Sequence, residues 1–411
     1  MLVANRKNGA RLSLDDQWDK KELIAIRSKE KFHCPECKEE VIMKLGSKKI
    51  WHFSHLSGSS CEHQYERESN YHLAGKLQLY NWLKKQGINA ELEKFDPSVR
   101  QKPDIAFDWQ GKKYAIEFQC SIIPEELFIK RTASYFKNGY IPIWIAAENL
   151  IKRTGTKAVS INNFLYLFIR RPSQNWNIPA YCPLSGQFID LNGAIPISSR
   201  KTITQLEIHS IDKVPVNHLI SPIGKSYPVL KSWQSELQKF KSRYLMYPGS
   251  YQNPFLQQLY RNHLNLLSLP SEIGLPVFSG PYIETPALIW QTYLYLDIFR
   301  NFKKGDLISL AQVHHAFNNR VKLGQIKRRN LPMAGKGSYS LVVTEYIQLL
   351  TKISVLTKIS DSLFKLNREL KIRDSIDEQS ADEAYFYKRY ENIIEAALLN
   401  NNLLGNSLKL R

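Results

Sequence analysis

The chain has 411 residues, more than one ordinary hydrophobic core accommodates, so we expect two or three domains. Its composition, with 43% hydrophobic and 23% charged residues, excludes collagen-like, low-complexity and disordered proteins. The formal net charge of +19 makes polyanions such as nucleic acids the expected partners, with a solvated basic exterior or an acidic membrane surface as alternatives.

Targeting signals are not evident in the sequence. The first residues, MLVANRKNGARLSLDD, contain neither the apolar stretch nor the cleavage pattern of a signal peptide. No apolar run approaches the roughly 18 to 20 residues that a membrane-spanning helix needs, so we expect no membrane insertion. Five cysteines, two of them in a Cys-x-x-Cys pair, fit a reducing compartment and a metal site better than a disulfide framework. The expected location is the cytoplasm.

Residues 1–63 predict a small β-rich, zinc-finger-like domain made of short strands and a segment rich in cysteine and histidine. Cys34 and Cys37 lie two residues apart on a predicted tight turn, so both thiolates can reach one tetrahedral ion. The segment WHFSHLSGSSC supplies the second half of such a site. We expect a structural Zn²⁺ ion bound by Cys34, Cys37, His55 and Cys61, with His52 as the alternative to His55 and with His33 and His63 less favoured. A metal-free domain in which these residues pack is the alternative.

Residues 64–155 predict a compact α/β unit. Apolar residues at helical spacing begin at Tyr65, and Gly87 follows the expected end of this helix. The elements that follow have the order of three strands, one helix and one strand, which with the first helix gives αβββαβ and a mixed sheet. Their predicted ranges are 65–87 for the first helix, 88–95, 103–109 and 113–120 for the strands, 124–139 for the second helix and 140–147 for the last strand.

Residues 156–411 form the expected C-terminal region. Its first part, 159–214, is β-rich, and from Val229 onward the pattern is mostly helical, interrupted by the Pro/Gly-rich stretch 269–286 and ending in an amphipathic helix over 381–401. We find no catalytic motif here. Its basic and aromatic residues predict contacts with single-stranded DNA, a protein-docking surface or a simple scaffold.

Two acidic residues and a glutamine in the hairpin KPDIAFDWQGKKYAIEFQCS predict a metal site. Glu117 and Gln119 are two residues apart on one strand, so they project to the same face. A turn near Gln110 brings Asp104, on the neighbouring strand, level with them. Two carboxylates and a carbonyl oxygen are suitable ligands for Mg²⁺ or Mn²⁺, which activate water beside a phosphodiester.

The first predicted helix carries Glu68, His72 and Lys76 at a spacing of four residues, which places them on one stripe. Packed on the sheet edge, this helix would direct Glu68 at the metal and His72 or Lys76 at phosphate. Spacing alone favours an ordinary exposed stripe.

These motifs resemble known proteins. Pro103 and Asp104 on one strand, with Glu117 and Gln119 on the next, are similar to the PD-(D/E)xK nuclease superfamily, whose fold is restriction-endonuclease-like, except that Gln119 stands where lysine is usual. A glutamine orients the attacking water but does not deprotonate it. The motifs CPEC, HFSH with Cys61, RESNYHLAGK and EFQCS, in this order, resemble the competence protein CoiA-like family, whose pattern reads E-S-x-x-H-x-x-x-K and later E-x-Q-x-S.

The resemblance implies a role for each motif residue: Glu68, Asp104 and Glu117 would bind one or two Mg²⁺ or Mn²⁺ ions, Gln119 would orient water, and His72 or Lys76 would contact the phosphate. It implies a competence-related protein that processes incoming DNA during natural transformation and recombination, with an Mg²⁺- or Mn²⁺-dependent deoxyribonuclease activity. The expected partners are DNA, single-stranded or processed duplex, and recombination proteins. The alternatives are a non-catalytic, DNA-binding recombination mediator and a restriction or defence nuclease.

Overall fold

A computed structural model describes the chain except residues 16–17, 57, 59–60, 62–67, 98, 100, 173–174, 223–226, 248, 336–338 and 400–411. Along the chain it contains an antiparallel N-terminal sheet, a large mixed sheet with helices, and a mainly helical C-terminal region. The predicted mixed α+β architecture is confirmed. No helix in the described part of the chain combines the length and apolar character needed to cross a bilayer.

The N-terminal module is a five-stranded antiparallel sheet with the order β2-β1-β3-β4-β5 and one helix. The helix, α1, was not predicted, because Leu23 is its single buried residue and the amphipathic pattern is weak. Asp19 caps α1 by accepting a hydrogen bond from the Lys21 amide at 2.6 Å. The elements are β1 (Val3–Arg6), β2 (Arg11–Ser13), α1 (Lys20–Lys29), β3 (Phe32–His33), β4 (Glu40–Lys44) and β5 (His52–His55).

The next segment has the predicted order αβββαβ. Its elements are α2 (Asn70–Lys85), β6 (Ala90–Leu92), β7 (Ile105–Trp109), β8 (Lys112–Gln119), α3 (Glu125–Lys137) and β9 (Tyr140–Ala147). Helix α2 begins at Asn70 because the Ser69 side chain caps it, accepting a hydrogen bond from the His72 amide at 3.1 Å. Glu68 therefore precedes the helix rather than lying on it, and the predicted start at Tyr65 lies outside the described residues.

The β7–β8 hairpin turns at Gln110 and Gly111, as predicted. Their φ angles of 49° and 73° are both positive, which is the pattern of a type I′ turn. The register pairs Ile105 with Ile116, so that Asp104, one residue earlier, comes level with Glu117.

The large sheet extends across the predicted boundary at residue 155. Strand β9 pairs in parallel with both β8 and β12, and the other neighbours pair in antiparallel fashion. The order of the sheet is β10-β11-β14-β13-β12-β9-β8-β7-β6. The β-rich part of the predicted C-terminal region therefore belongs to the same nine-stranded sheet. The added elements are β10 (Lys152–Arg153), β11 (Ala158–Ser160), α4 (Asn163–Tyr166), β12 (Asn177–Cys182), β13 (Gln187–Pro196), β14 (Lys201–Ser210) and α5 (Val216–Ile220).

The C-terminal region is mainly helical, as predicted, with a small three-stranded sheet that was not. Its core is continuous with one face of the large sheet: Phe128 and Trp144 belong to the same buried cluster as Trp176, Trp233 and Trp290. The elements are α6 (Leu230–Met246), α7 (Pro254–Arg261), α8 (Ala287–Asp297), β15 (Leu307–Ser309), α9 (Leu310–Lys322), α10 (Tyr339–Lys352), β16 (Leu356–Lys358), β17 (Leu363–Leu366) and α11 (Ile376–Leu399).

Candidate functional site

The N-terminal module brings together the four residues predicted to bind zinc. One donor atom from each of Cys34, Cys37, His55 and Cys61 lies within 4.8 Å of all the others, although three separate segments supply them. Cys37 Sγ and His55 Nε2 are 3.4 Å apart. His52, the alternative, directs Nδ1 to the carbonyl of Ile50 at 2.7 Å and is not part of the group. His63 lies outside the described residues.

This donor set fits a structural zinc ion. Burial raises the pKa of the Cys34 and Cys37 thiols, so a bound cation would be needed to hold them as thiolates. Three sulfurs and one imidazole nitrogen complete a tetrahedral shell and leave no position for a substrate. The expected contribution of the metal is therefore to hold β3, β5 and the segment at Cys61 together.

If the module binds zinc, replacing Cys34 by serine should lower the zinc content, and it should lower the melting temperature by several degrees because a structural ion couples folding to metal binding. Metal analysis after dialysis and thermal unfolding would measure the two effects on one sample. Cys120→Ser is the matched control, since Cys120 is outside the donor group, and it should leave zinc content unchanged. A Cys34→Ser protein that retained a full equivalent of zinc would contradict the ligand assignment.

A second group of polar residues surrounds the ammonium of Lys76. Lys76 Nζ lies 2.6 Å from Glu93 Oε1 and 3.0 Å from Asp104 Oδ1, and it also pairs with Glu68 Oε1. His72 Nε2 is 3.2 Å from Asp104 Oδ2, which accepts a further hydrogen bond from the amide of Phe118 at 2.9 Å. The lysine is therefore the centre of three carboxylates that come from three different segments.

The electrostatics of this group favour a fully ionised state. Burial alone would raise the pKa of Asp104, but the charges of Lys76 and His72 outweigh it and hold that pKa well below its ordinary value. Burial would likewise lower the pKa of Lys76, but Asp104, Glu68 and Glu93 raise it well above its ordinary value. Only 1% of the Lys76 side chain is exposed, so in this geometry the ammonium is a counterion for carboxylates and not a phosphate contact.

Glu93 was not predicted, and it fastens the N-terminal strand to the site. Its Oε2 accepts hydrogen bonds from the amides of Leu2 at 2.8 Å and Val3 at 3.1 Å, while its Oε1 contacts Lys76. The residue directly follows β6 with a φ angle of 46° and is buried. A charged residue directly after the short strand Ala90–Leu92 was the only signal in the sequence.

Close packing of α2 on β8 positions Lys76. A Cβ atom on Gly75 would lie 2.1 Å from Cε1 of Phe118, so glycine is required for this approach. Phe118 also lies beside His72, with ring centroids 5.9 Å apart. The alternation of β8 thus places Phe118 under α2, and Glu117 projects to the other face.

Glu117 has partners on α3. Its Oε1 accepts a hydrogen bond from Arg131 Nη2 at 2.6 Å and another from the Tyr135 hydroxyl. Among the described residues, one donor atom each of Glu68, His72 and Asp104 lies within 4.8 Å of the other two, and Glu117 is not part of this cluster. The amide nitrogen of Gln119 donates to the carbonyl of Ser121 at 2.9 Å.

Burial, reinforced by the negative charge of Asp104, raises the pKa of Glu117 to about 7, although Arg131 opposes this shift. A carboxyl with this pKa exchanges protons near neutral pH, as a general base must. The strand register, which places Asp104 level with Glu117, accounts for this effect of Asp104.

Glu117 should make the stability of the protein fall as pH rises from 4.5 to about 7. Its folded pKa lies above the ordinary value of 4.5, so the folded state binds the extra proton, and its contribution of up to about 3 kcal/mol is full below pH 4.5 and lost above 7. Chemical unfolding of the parent and Glu117→Gln proteins across this range would test it. The variant should show a smaller loss of stability, and identical pH profiles would contradict the assignment.

The two candidate metal centres are linked. Glu36, inside the Cys34–Cys37 turn, forms an ion pair with Lys102 at 3.0 Å, and Lys102 lies two residues before Asp104. Glu93 and Glu36 hold the pKa of Lys102 above its ordinary value despite burial. The N-terminal module therefore contacts the segment that carries Asp104 directly.

The carboxylate group fits a divalent cation by its donor chemistry. Glu68 and Asp104 supply oxygen atoms within 4.8 Å of each other and of a His72 nitrogen, and carboxylate oxygens are the protein ligands that Mg²⁺ and Mn²⁺ prefer. These are also the most accessible carboxylates of the group, with 19% and 13% of their side chains exposed. An ion at this position would share both ligands with Lys76.

Three family models match consecutive parts of the chain. The model described as "Competence protein CoiA, N-terminal domain" matches residues 15–64, "Competence protein CoiA, nuclease-like domain" matches 68–223, and "Competence protein CoiA, C-terminal domain" matches 229–379. The chain is 29% identical over 342 residues to Competence protein CoiA of Bacillus subtilis (strain 168), covering 82% of this chain and 90% of that relative. No solved structure matches. The match over 68–223 contains the whole nine-stranded sheet.

Proposed function

Because the chain belongs to the competence protein CoiA family, we propose that it has a competence-related role in which its nuclease-like domain processes incoming DNA during natural transformation. The observation that carries this proposal is the meeting of Glu68, His72 and Asp104 beside Glu117. Oxygen ligands and a carboxyl with a pKa of about 7 are the groups that metal-dependent phosphodiester hydrolysis uses.

Each residue has a role in the proposed reaction. Glu68 and Asp104 would hold one or two Mg²⁺ or Mn²⁺ ions, whose chemistry there would be to neutralise charge on the phosphate. Glu117 accepts the proton of the attacking water, and Gln119 orients that water. Lys76 keeps the carboxylates ionised, a role that differs from the phosphate contact expected from the sequence. His72 orients Asp104.

A second function is favoured by the same lysine. Three carboxylates without a cation would repel one another, but Lys76 already supplies a positive charge to Glu68, Glu93 and Asp104. The group is therefore compatible with a nuclease-like domain that binds DNA without cleaving it and acts together with recombination proteins. The N-terminal module would then stabilise the fold of the domain that binds DNA.

Incubation of the full-length protein with single-stranded and linear duplex DNA, with and without added Mn²⁺ or Mg²⁺, tests the two functions together. Metal-dependent cleavage supports the nuclease. Binding of DNA without cleavage under every condition supports the non-catalytic mediator and overturns the nuclease. Absence of both binding and cleavage overturns both proposals.

DNA binding should weaken steeply with salt because the net charge of +19 predicts contacts with phosphate groups and release of counterions. If six to ten phosphates are contacted, affinity should fall by about 10³ to 10⁵ between roughly 50 and 200 mM salt. Fluorescence anisotropy with a labelled oligonucleotide measures the slope. An affinity that did not change with salt would contradict an electrostatic DNA surface.

A further inference from the structure

The other half of the large sheet carries a cluster of metal-ligand side chains that the proposed function does not use. Asp190 lies on β13, His209 on β14 and His218 on α5, and one donor atom of each lies within 4.8 Å of the other two. The strand register pairs Asp190 with Glu207, and His209 is two residues further along β14, so these side chains share one face.

Two atoms of the described chain, one in this cluster and one on the neighbouring Glu207, are buried without a hydrogen-bond partner. Among the described residues, neither Nε2 of His209 nor Oε1 of Glu207 has a hydrogen-bond partner, although both atoms are shielded from solvent. His209 Nε2 lies 3.6 Å from the other Glu207 oxygen, Oε2, which is too long for a hydrogen bond. Because unpaired buried polar atoms cost free energy, they indicate a bound species that satisfies them.

The surrounding residues fix Asp190 in a ligand-like orientation. The Asn177 amide donates to Asp190 Oδ1 at 3.0 Å, and Arg170 Nε donates to the Asn177 side-chain oxygen at 2.9 Å. Asp190 Oδ2 lies 2.8 Å from His218 Nε2, within hydrogen-bond distance. Metal-binding carboxylates are typically held by such outer hydrogen bonds, and Asn177 is completely buried.

We propose that Asp190, His209 and His218 bind a divalent transition-metal ion of the Zn²⁺ class. Two imidazoles and one carboxylate are a recurrent ligand set for such ions, whereas Mg²⁺ and Ca²⁺ favour oxygen ligands throughout. Glu207 places a second negative charge beside the ion, so that two carboxylates balance its charge. Binding at His209 would also give the buried Nε2 a partner.

The ion would fasten α5 to the sheet. This short helix contacts other elements through Val216, whose amide donates to Gln86 at 2.8 Å, and Asn217, which accepts from Trp109 Nε1 at 3.0 Å. Gln86 ends α2 and Trp109 ends β7. The proposed site therefore stabilises the far end of the helix that carries Lys76.

Metal analysis of full-length protein tests this site. His209→Ala and His218→Ala should each lower the bound zinc by one equivalent, while the exposed His315, on α9, is the matched control and His315→Ala should change nothing. Zinc content that is the same in His209→Ala and the parent would overturn the proposal. Far-UV circular dichroism identifies variants that are folded, and Asp190→Asn is a second ligand variant if either alanine variant is not.

A cobalt titration distinguishes metal binding at this site from metal binding at the cysteines of the N-terminal module. In the Cys34→Ser protein, Co²⁺ should still bind and give ligand-field bands without a thiolate charge-transfer band, since the proposed ligands are nitrogen and oxygen. Adding His209→Ala should weaken this binding by at least about 100-fold. No Co²⁺ binding in Cys34→Ser, or Co²⁺ binding that is unchanged when His209→Ala is added, would overturn the proposal.

Discussion

Replacing Lys76 by methionine should destabilise the protein by about 3–5 kcal/mol near neutral pH, because it removes the cation that Glu68, Glu93 and Asp104 share in a largely buried site. The loss should shrink as the pH falls. In the parent the pKa values of these carboxyls are held low, so the stabilisation is present above their ordinary pKa values and disappears on protonation. Chemical unfolding at several pH values measures both effects.

The matched control is Lys85→Met, at the exposed end of the same helix. Lys85 pairs with Asp212 at 3.5 Å, but both side chains are largely exposed, so the change should stay within about 1 kcal/mol. Millimolar Mn²⁺ should restore stability to Lys76→Met more than to the parent, since a divalent ion would replace the missing charge. A Lys76→Met protein as stable as the parent would show that the ammonium is not the counterion.

The second large effect concerns cleavage. If the domain is a nuclease, Asp104→Asn and Glu117→Gln should each slow Mn²⁺-dependent cleavage by about 10²- to 10⁴-fold. The first removes a metal ligand, and the second removes the carboxyl whose pKa of about 7 suits a general base. Cleavage of end-labelled DNA, measured with protein in excess, gives the rate of the chemical step.

Asp108→Asn is the control for cleavage, because Asp108 is an exposed carboxylate on β7, the strand that follows Asp104. Among the described residues, Asp108 does not lie in any of the clusters of potential metal ligands. It should cleave at the parent rate. DNA affinity and unfolding of each variant should be measured in parallel, so that a loss of binding or folding is not mistaken for a loss of chemistry. Parent-level cleavage by Asp104→Asn would exclude this carboxylate as a ligand.

Local sequence patterns predicted the secondary-structure elements and the β7–β8 hairpin. The arrangement of side chains around Lys76 depends on tertiary contacts instead. Helical spacing and the Gln110–Gly111 turn are encoded by neighbouring residues, so α2, β7, β8 and α3 follow from the sequence. The role of Glu93 does not, because its backbone donors at Leu2 and Val3 are 91 and 90 residues away. The burial of Lys76 likewise depends on the packing of α2 against Phe118. The sequence does not predict it, because a charged side chain is normally expected at the surface.

The cluster of Asp190, His209 and His218 could not be predicted from the sequence either. Asp190, His209 and His218 come from two strands and a short helix, and no spacing along the chain groups them. The parallel pairing of β12 with β9 is also a long-range choice, and it joins segments that the sequence alone assigned to different domains. Cysteines two residues apart were an exception, because their proximity is fixed by the turn itself.

The contact between Glu36 and Lys102 affects how chelator experiments should be interpreted. If the N-terminal module binds zinc, removal of the ion would release the turn that holds Glu36, and with it the segment leading to Asp104. Inhibition by EDTA would therefore arise even if the carboxylate site bound no metal. A chelator-treated sample that regains activity with Zn²⁺ alone identifies the structural ion as the cause, whereas recovery that also requires Mn²⁺ or Mg²⁺ identifies a second, catalytic ion.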